Sequence, residues 1–182
     1  MNIVKIILGL SLAALSFISC NTDKSLQVYI VDKQEDDRFM KLDLATSLIE
    51  DAEGLDEENR KILKTIKKIN VVAYQKEQGT DADYQTEKAK LDLILSQEKY
   101  HLLSKFKSNN QLVTLKYIGD DTTIDEVIVY GSDDQKGLAL FRLLGNNMKP
   151  ENLANLAMSL EKGGFNLSDM TGMSGIEDIF KE

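Results

Sequence analysis

The sequence predicts an α+β domain in which helices cover a four-stranded mixed sheet. Two observations lead to this prediction. Apolar residues recur at helical spacing over much of residues 37–106, and they then switch to short β-branched runs divided by turn residues. The predicted order is helix, helix, strand, helix, three strands, helix (ααβαβββα), in which one strand joins a three-stranded antiparallel meander.

Amphipathic patterning predicts four helices, and residues at their ends support them. Gly54 ends the first helix, and Asp56 can cap the second. Pro150 suits the first turn of the last helix, and Gly163 follows its final residue. The predicted helices span residues 37–52, 56–68, 81–95 and 150–162. The third helix is predicted to break near Ser96 and to continue in helical form to residue 106.

Four short runs of apolar and β-branched residues predict the strands. The first run follows the second helix directly, and the other three are separated by turn-rich segments of hairpin length, residues 119–123 and 131–137. Strands joined by such short turns pair antiparallel, which favours a meander. The predicted strands span residues 69–74, 112–118, 124–130 and 138–144.

The first twenty residues predict export and a lipid anchor. Lys5 is followed by an apolar run over residues 6–18, then by the small residue Ser19 and the only cysteine of the chain, Cys20. The run Phe17-Ile18-Ser19-Cys20 resembles a bacterial lipobox. The resemblance implies cleavage after residue 19 and attachment of diacylglyceryl and fatty acyl (palmitate) chains to Cys20, which then holds the protein on the bilayer. The alternatives are an unlipidated secreted protein and an uncleaved N-terminal anchor.

The chain is predicted to divide into four parts. Residues 1–19 are the signal peptide, residues 20–36 a polar tether, residues 37–164 a single α+β domain, and residues 165–182 a tail with glycine and methionine that we expect to be mobile. The apolar patch at residues 26–31 of the tether could equally be a small strand or a site where the tether folds back. The net charge of −8 disfavours nucleic-acid binding, because an acidic surface repels phosphates. Asn21 replaces the aspartate associated with inner-membrane retention in other bacteria, so we expect the outer membrane, facing the periplasm.

Several stretches of the chain resemble one bacterial family. They are residues 67–74, Tyr100 with Leu102 and Leu103, and residues 117–121, 124–132 and 144–151. In these stretches the chain is similar to the small lipoproteins of Bacteroidota that are grouped as domain of unknown function family 4252. The resemblance implies a lipoprotein of the bacterial cell envelope, and it brings no catalytic motif or established activity.

The residue inventory gives little support for catalysis. His101 is the only histidine, and with no second histidine or free cysteine it cannot build an ordinary zinc site. The acidic clusters at residues 35–37, 120–121 and 133–134 lack the ligand spacing of a calcium loop, so we interpret them as solvated turns. The sequence contains no nucleophile elbow and no glycine-rich phosphate loop. We therefore predict no metal, no cofactor and no enzymatic activity.

One short motif predicts a modification. The run Asp121-Thr122-Thr123 resembles the acceptor for O-glycosylation of exported proteins in Bacteroidota, and it lies in a turn between two predicted strands. The resemblance implies a glycan on Thr122 at an exposed hairpin tip.

The leading functional hypothesis is an envelope lipoprotein that binds another envelope protein. Its sheet face, its sheet edge or its tail would make the contact, and the tail residues are Met170, Met173, Ile176, Ile179 and Phe180. The same tail could instead dock on its own domain. The alternative function is a small-ligand or lipid-binding lipoprotein, with a pocket between sheet and helices lined by residues such as Phe39, Tyr74, Tyr117 and Phe141. A carboxylate-based enzyme is the third hypothesis.

Overall fold

The computed structural model describes residues 25–48, 61, 64–108, 110–120 and 122–149. Within these ranges the chain forms two α-helices and six strands. In chain order they are α1 (Leu26–Asp32), β1 (Phe39–Ala45), β2 (Ile66–Gln75), α2 (Asp81–Leu95), β3 (His101–Ser108), β4 (Gln111–Gly119), β5 (Ile124–Asp133) and β6 (Gly137–Met148). Single turns of 3-10 helix, Thr46–Leu48 and Lys76–Gln78, follow β1 and β2.

The six strands form one sheet in which every neighbouring pair is antiparallel. Their order across the sheet is β1-β2-β6-β5-β4-β3. The last four strands form a meander, and β2 joins it beside β6, where Val71 pairs with Phe141. Val129 of β5 pairs with Phe141 from the other side. In the described part of the chain, β1 and β3 are therefore the edges of the sheet.

Both α-helices lie on one side of the sheet, which we call the helix face. Buried side chains of α1 and α2 pack there against alternate strand residues, namely Phe39, Val72, Tyr74, Ile128, Tyr130, Leu138 and Leu140. The ring centres of Phe39 and Tyr74 are 5.3 Å apart. Because Tyr74 and Tyr84 are fully buried, aromatic rings fill much of the layer between sheet and helices.

The opposite side of the sheet, the second face, is also apolar. Its buried strand residues include Ile69, Val71, Ala73, Leu115, Val127, Val129, Ala139, Phe141 and Leu143. Side chains alternate between the two sides of a strand, so the central strands are apolar on both sides. This explains why β2, β5 and β6 are nearly continuous apolar runs in the sequence.

Local sequence signals set the starts of both helices. Ser25 caps α1, and its hydroxyl oxygen accepts a hydrogen bond from the Val28 N–H at 3.2 Å. Thr80 and Asp83 form a capping box at the start of α2, in which each side chain accepts a hydrogen bond from the backbone N–H of the other residue. These bonds satisfy N–H groups that the first turn of a helix leaves unpaired.

The predicted fold class is wrong in the number and direction of the strands. The structure has six antiparallel strands in place of a four-stranded mixed sheet, and its described order is αββαββββ rather than ααβαβββα. Part of the first predicted helix, residues 37–52, is β1. Met40, Leu42 and Leu44 alternate with polar residues and pack on the second face, and this period of two outweighs the helical spacing of Leu42 and Ala45.

The helical continuation predicted to residue 106 is also wrong, because β3 occupies this part of the chain. The register between β3 and β4 shifts between Leu102 and Ser104, which marks a β-bulge. With the bulge, Leu103 and Phe106 pack on the second face although they are three residues apart. Because a spacing of three residues is also typical of a helix, the bulge conceals the strand in the sequence.

Other predicted elements are confirmed, and several lie outside the described residues. The helix over residues 81–95 and the meander of the last three strands match the structure. β2 is longer than predicted and begins at Ile66, so Lys67 and Lys68 lie in a strand and not in the last turn of a helix. The signal peptide, most of the helix predicted over residues 56–68, the helix predicted over residues 150–162 and the tail lie outside the described residues.

Candidate functional site

The first helix of the described part of the chain, α1, begins six residues after Cys20. Leu26, the first residue of α1, is only 1 % exposed and packs on the helix face together with Tyr29 and Ile30. Residues 26–32 fall within the predicted tether, but they form a helix that packs as part of the domain. Because six residue steps of extended chain span at most about 21 Å, any attachment at Cys20 keeps α1 within that distance of the attachment point.

A buried ion pair holds α1 against α2. The Lys33 ammonium lies 2.8 Å from one carboxylate oxygen of Glu87, and Lys90 donates to the other oxygen at 2.7 Å. Burial raises the pKa of Glu87, but the two neighbouring ammonium groups together outweigh it and leave the pKa below its usual value. Lys33 also lies 4.9 Å from the ring centre of Phe39. Glu87 is therefore an ionised carboxylate that joins Lys33, at the end of α1, to α2.

A second buried ion pair joins β5 to β6 on the helix face. Arg142 Nη2 donates to Glu126 Oε2 at 2.7 Å, and Arg142 Nη1 donates to Gln27 of α1. In the described part of the chain, Glu126 Oε1 and Arg142 Nε are buried without a hydrogen-bond partner. Asp125 is exposed, as expected for neighbouring strand residues on opposite faces. Asp125 and Glu126 therefore share no cleft.

β3 forms a basic edge of the sheet, and the residue that precedes it packs beside the start of α1. Tyr100 directly precedes β3 and packs in the same cluster as Leu26, and its hydroxyl lies beside the Leu26 backbone. Lys105 and Lys107 are exposed, and Leu102 is 58 % exposed. No strand in the described ranges pairs with the outer side of β3. An edge strand offers N–H and C=O groups to another extended chain. We call Leu102, Lys105 and Lys107, with the β3 backbone, the basic edge.

The charges on the other edge strand are bonded within the domain. On β1, Lys41 donates to the backbone carbonyl of Asp36, and Asp43 accepts a hydrogen bond from Lys68 of β2. No side-chain hydrogen bond joins the two lysines of the basic edge to any residue that the structure describes, although the Lys105 ammonium acts on the Asp92 carboxylate of α2 through space. The basic edge is therefore the edge whose charges are available to a partner.

His101 and the residues predicted to line a pocket are distributed over both faces. His101 is exposed at the start of β3, where its ring centre lies 5.2 Å from that of Tyr117. Tyr117 and Phe141 belong to the second face, whereas Phe39 and Tyr74 pack against each other on the helix face. The four aromatic residues therefore do not meet between the sheet and the helices.

Thr122 lies at the exposed tip of the hairpin between β4 and β5. A single carboxylate oxygen, Asp120 Oδ1, accepts hydrogen bonds from the hydroxyls and the backbone N–H groups of both Thr122 and Thr123. These bonds hold the pKa of Asp120 well below its usual value. Thr122 is thus presented on an ordered turn, and its glycosylation stays a prediction.

The other acidic clusters stabilise turns and helix packing. Arg38 donates to Asp36 at 2.8 Å and lowers the pKa of Asp36 to about 2. Asp134 accepts a hydrogen bond from Lys88 of α2. Asp133 is not solvated as predicted, because it is buried and accepts two backbone N–H bonds from its own hairpin. In the described ranges, no group of three histidine, cysteine, aspartate or glutamate side chains could hold a metal ion.

The basic edge is the part of the site that sequence reasoning missed. The alternation Lys105-Phe106-Lys107 was the available signal for it, and the helical interpretation of this stretch concealed it. The other predicted site residues lie outside the described residues, namely Cys20, Met170, Met173, Ile176, Ile179 and Phe180. Among the described helices, none is long and apolar enough to cross a bilayer.

One protein family matches the chain over most of its length. A family model described as a domain of unknown function (DUF4252) matches residues 27–156, which contain all six strands, α2 and all of α1 except its first residue. The match covers 130 of the 182 residues. No curated protein and no solved structure matches the chain. The chain therefore belongs to the DUF4252 family of domains of unknown function.

Proposed function

We propose that the protein is a lipoprotein of the bacterial cell envelope that acts without catalysis by holding another envelope protein at the membrane. Cys20 carries the lipid, and the basic edge binds an acidic, extended segment of the partner. The observation that carries the proposal is that the outer side of β3 has no pairing strand in the described part of the chain, and that Tyr100, just before β3, packs with Leu26, six residues after Cys20. Asn21, directly after the lipobox-like sequence, favours the outer membrane, facing the periplasm, and the resemblance to Bacteroidota lipoproteins favours that phylum.

The anchor is supported by the N-terminal sequence and by the short link to the domain. A diacylglyceryl group together with an N-linked acyl chain gives stable membrane binding, whereas one chain gives only marginal binding. With at most about 21 Å between Cys20 and Leu26, the domain stays close to the lipid headgroups. Its net charge of −8 disfavours broad contact with anionic lipid, which leaves the surface available to a protein.

The chemistry of β3 supports an acidic, extended partner. Its backbone can add a strand through main-chain hydrogen bonds, and Leu102 supplies an apolar contact. Lys105 and Lys107 attract acidic side chains, and they oppose the pairing of β3 with a second copy of itself, because like charges facing each other are unfavourable. Lysines on an edge strand hinder its pairing with most other strands. Because an acidic segment is attracted to them, the same two lysines favour an acidic partner over others.

Charge reversal on the basic edge tests the proposal. Lys105→Glu/Lys107→Glu is compared with Lys64→Glu/Lys67→Glu, which changes the net charge equally at two exposed lysines, one just before β2 and one in it. Each full-length chain is produced in its native host, crosslinked in cells and purified from the membrane fraction. We expect the principal crosslinked protein to be lost from the first variant and retained by the second.

A third variant, which ends before Phe165, separates the edge from the tail. If this variant lost the partner while Lys105→Glu/Lys107→Glu retained it, the contact would lie on the tail and the edge would be excluded. If the unaltered chain crosslinked to no protein, the binding function itself would be contradicted.

A further inference from the structure

The two sides of β3 have different chemistry. Lys105 pairs directly with Thr114 of β4, and Thr114 pairs with Tyr130 of the helix-face cluster. Residues that pair directly across neighbouring strands lie on the same side of a sheet, so Lys105 is on the helix face. Lys107 is two residues further along the strand and therefore lies on the same face. Phe106, between the two lysines, packs on the second face.

The helix-face side of β3 is positively charged. Next to Lys105 and Lys107, β4 carries Lys116, whose ammonium donates to the backbone carbonyl oxygen of Leu95 at 2.6 Å. Burial lowers the pKa of Lys116, and the nearby Lys105 ammonium lowers it further. The Asp92 carboxylate of α2 acts on Lys105 with the opposite charge. The lysines outnumber this carboxylate, so this side of β3 attracts negative charge.

The second-face side of β3 is apolar. Leu103 and Phe106 are partly buried there and pack against the second-face cluster. A carboxylate placed beside them would lose contact with water and gain no cation in return. Because the β-bulge interrupts the strand between Leu102 and Ser104, regular pairing with an added strand is available over residues 104–108. An added strand therefore meets lysines on one side and a phenyl ring on the other.

We propose that the partner segment alternates acidic and apolar residues, so that two of its acidic residues are two positions apart. The alternation rests on the proposed function, in which the basic edge binds an acidic, extended segment. Successive side chains of an added strand point to opposite sides of the sheet. The acidic residues then lie beside Lys105 and Lys107 on the helix face, and the apolar residue between them lies beside Phe106. A slip of one residue would place the acidic residues on the apolar side.

A second copy of the chain matches this pattern poorly. The other edge strand, β1, alternates apolar residues with Lys41 and Asp43, so it would bring one lysine to the basic edge for each acidic residue. A second copy of β3 would bring Lys105 and Lys107 against the same two lysines. Like charges that face each other across strands are unfavourable. The charge pattern therefore favours a different protein as the partner.

Two synthetic peptides of the same composition test the alternation. Each contains four glutamates and four valines and has capped ends. In the first peptide the two residue types alternate, and in the second they come in pairs, so that no two glutamates are two positions apart. Each peptide is added, up to millimolar concentration, to the isotope-labelled full-length protein extracted from the membrane. Binding is measured from the NMR shifts of the β3 amide groups.

We expect the alternating peptide to bind about five- to tenfold more tightly than the paired one. It forms one more ion pair with the basic edge, which contributes up to about fivefold in affinity, and it places no glutamate beside Phe106. Equal affinities at β3 would overturn the alternation and leave the proposed function standing. If neither peptide shifted the β3 signals, the basic edge itself would be contradicted, and the proposed function with it.

Two sets of variants test the side on which the acidic residues lie. Lys105→Glu/Lys107→Glu should lose the alternating glutamate peptide and bind a peptide in which lysine alternates with valine. Asp92→Asn removes the carboxylate that competes for Lys105, so it should strengthen binding of the glutamate peptide about two- to fivefold. The control Asp125→Asn, at an exposed aspartate of β5, changes the net charge equally and should leave the affinity unchanged. Equal affinities of the two asparagine variants would overturn the placement on the helix face.

Discussion

The ion pair between Lys33 and Glu87 tests whether α1 is an integral part of the domain. Glu87→Leu removes the carboxylate and leaves the Lys33 ammonium buried without its partner. Lys90 also loses its partner, but its side chain is 39 % exposed and can turn toward water. The converse substitution, Lys33→Met, removes the buried cation and leaves Glu87 bonded to Lys90 at 2.7 Å.

The two substitutions should therefore have unequal costs. Leaving one charge of a buried pair without its partner costs about 3–5 kcal/mol. We expect about 3 kcal/mol for Glu87→Leu, the lower end of this range, because the Phe39 and Tyr29 rings still face the ammonium. Lys33→Met should cost about 1–2 kcal/mol, since Glu87 keeps one ammonium partner. The double variant, apolar at both positions, should stay within about 1 kcal/mol of wild type.

Urea unfolding followed by far-UV circular dichroism at pH 7 measures these free energies on the chain that starts at residue 21. We expect a coupling energy of at least about 2 kcal/mol between the two positions. If Glu87→Leu changed the free energy of unfolding by less than about 1 kcal/mol, as for a surface pair, α1 would not be packed on α2. Additive costs in the double variant would refute the buried pair.

Three further predictions concern single residues. Leu26→Ala should lower the free energy of unfolding by about 3 kcal/mol because the side chain is fully buried, and an unchanged urea midpoint would mean that α1 is detached. Gly137→Ala should lower the free energy of unfolding by about 2–4 kcal/mol, because a Cβ there would lie 2.0 Å from the Tyr74 carbonyl oxygen and the φ of +138° disfavours any side chain. An unchanged melting temperature in thermal unfolding would contradict this close approach. The lowered pKa of Asp36 stabilises the fold above pH about 4 and this contribution is lost as the pH falls toward 2. The stabilities of wild type and Asp36→Asn should therefore converge over that interval, and parallel pH profiles would count against the bond to Arg38.

The sequence predicts those elements whose signals are local. α2 begins after Thr80 with a capping box, and its apolar residues are spaced as in a helix, so its predicted span agrees with the structure. The last three strands are separated by turn residues, which specify antiparallel hairpins between neighbours. In these parts of the chain, propensity, period and tertiary packing agree.

The missed elements depend on packing between distant parts of the chain. The apolar residues of β1 carry both a period of two and a helical spacing, and pairing with β2 decides between them. In β3 the β-bulge between Leu102 and Ser104 interrupts the alternation of apolar and polar residues. Residues 26–32 are rich in β-branched residues, yet they form a helix because Leu26, Tyr29 and Ile30, spaced by three and four, pack together on the helix face.

The candidate site could not be predicted for a related reason. Lys105 and Lys107 have no motif around them, and they become an edge only through the placement of β3 at the end of the sheet. The position of the start of β3 beside α1 depends on Tyr100 packing with Leu26, two residues far apart in the sequence. Both features are long-range properties of the fold, which sequence periodicity does not report.

The mass of the intact protein extracted from the membrane shows whether Cys20 is the site of lipid attachment. We predict a chain that begins at Cys20 and carries a diacylglyceryl group with an additional acyl chain, and we predict that Cys20→Ala is neither processed at residue 19 nor acylated. A mature chain that begins elsewhere without lipid would contradict the proposed anchor. Normal processing and membrane retention of Cys20→Ala would contradict it equally.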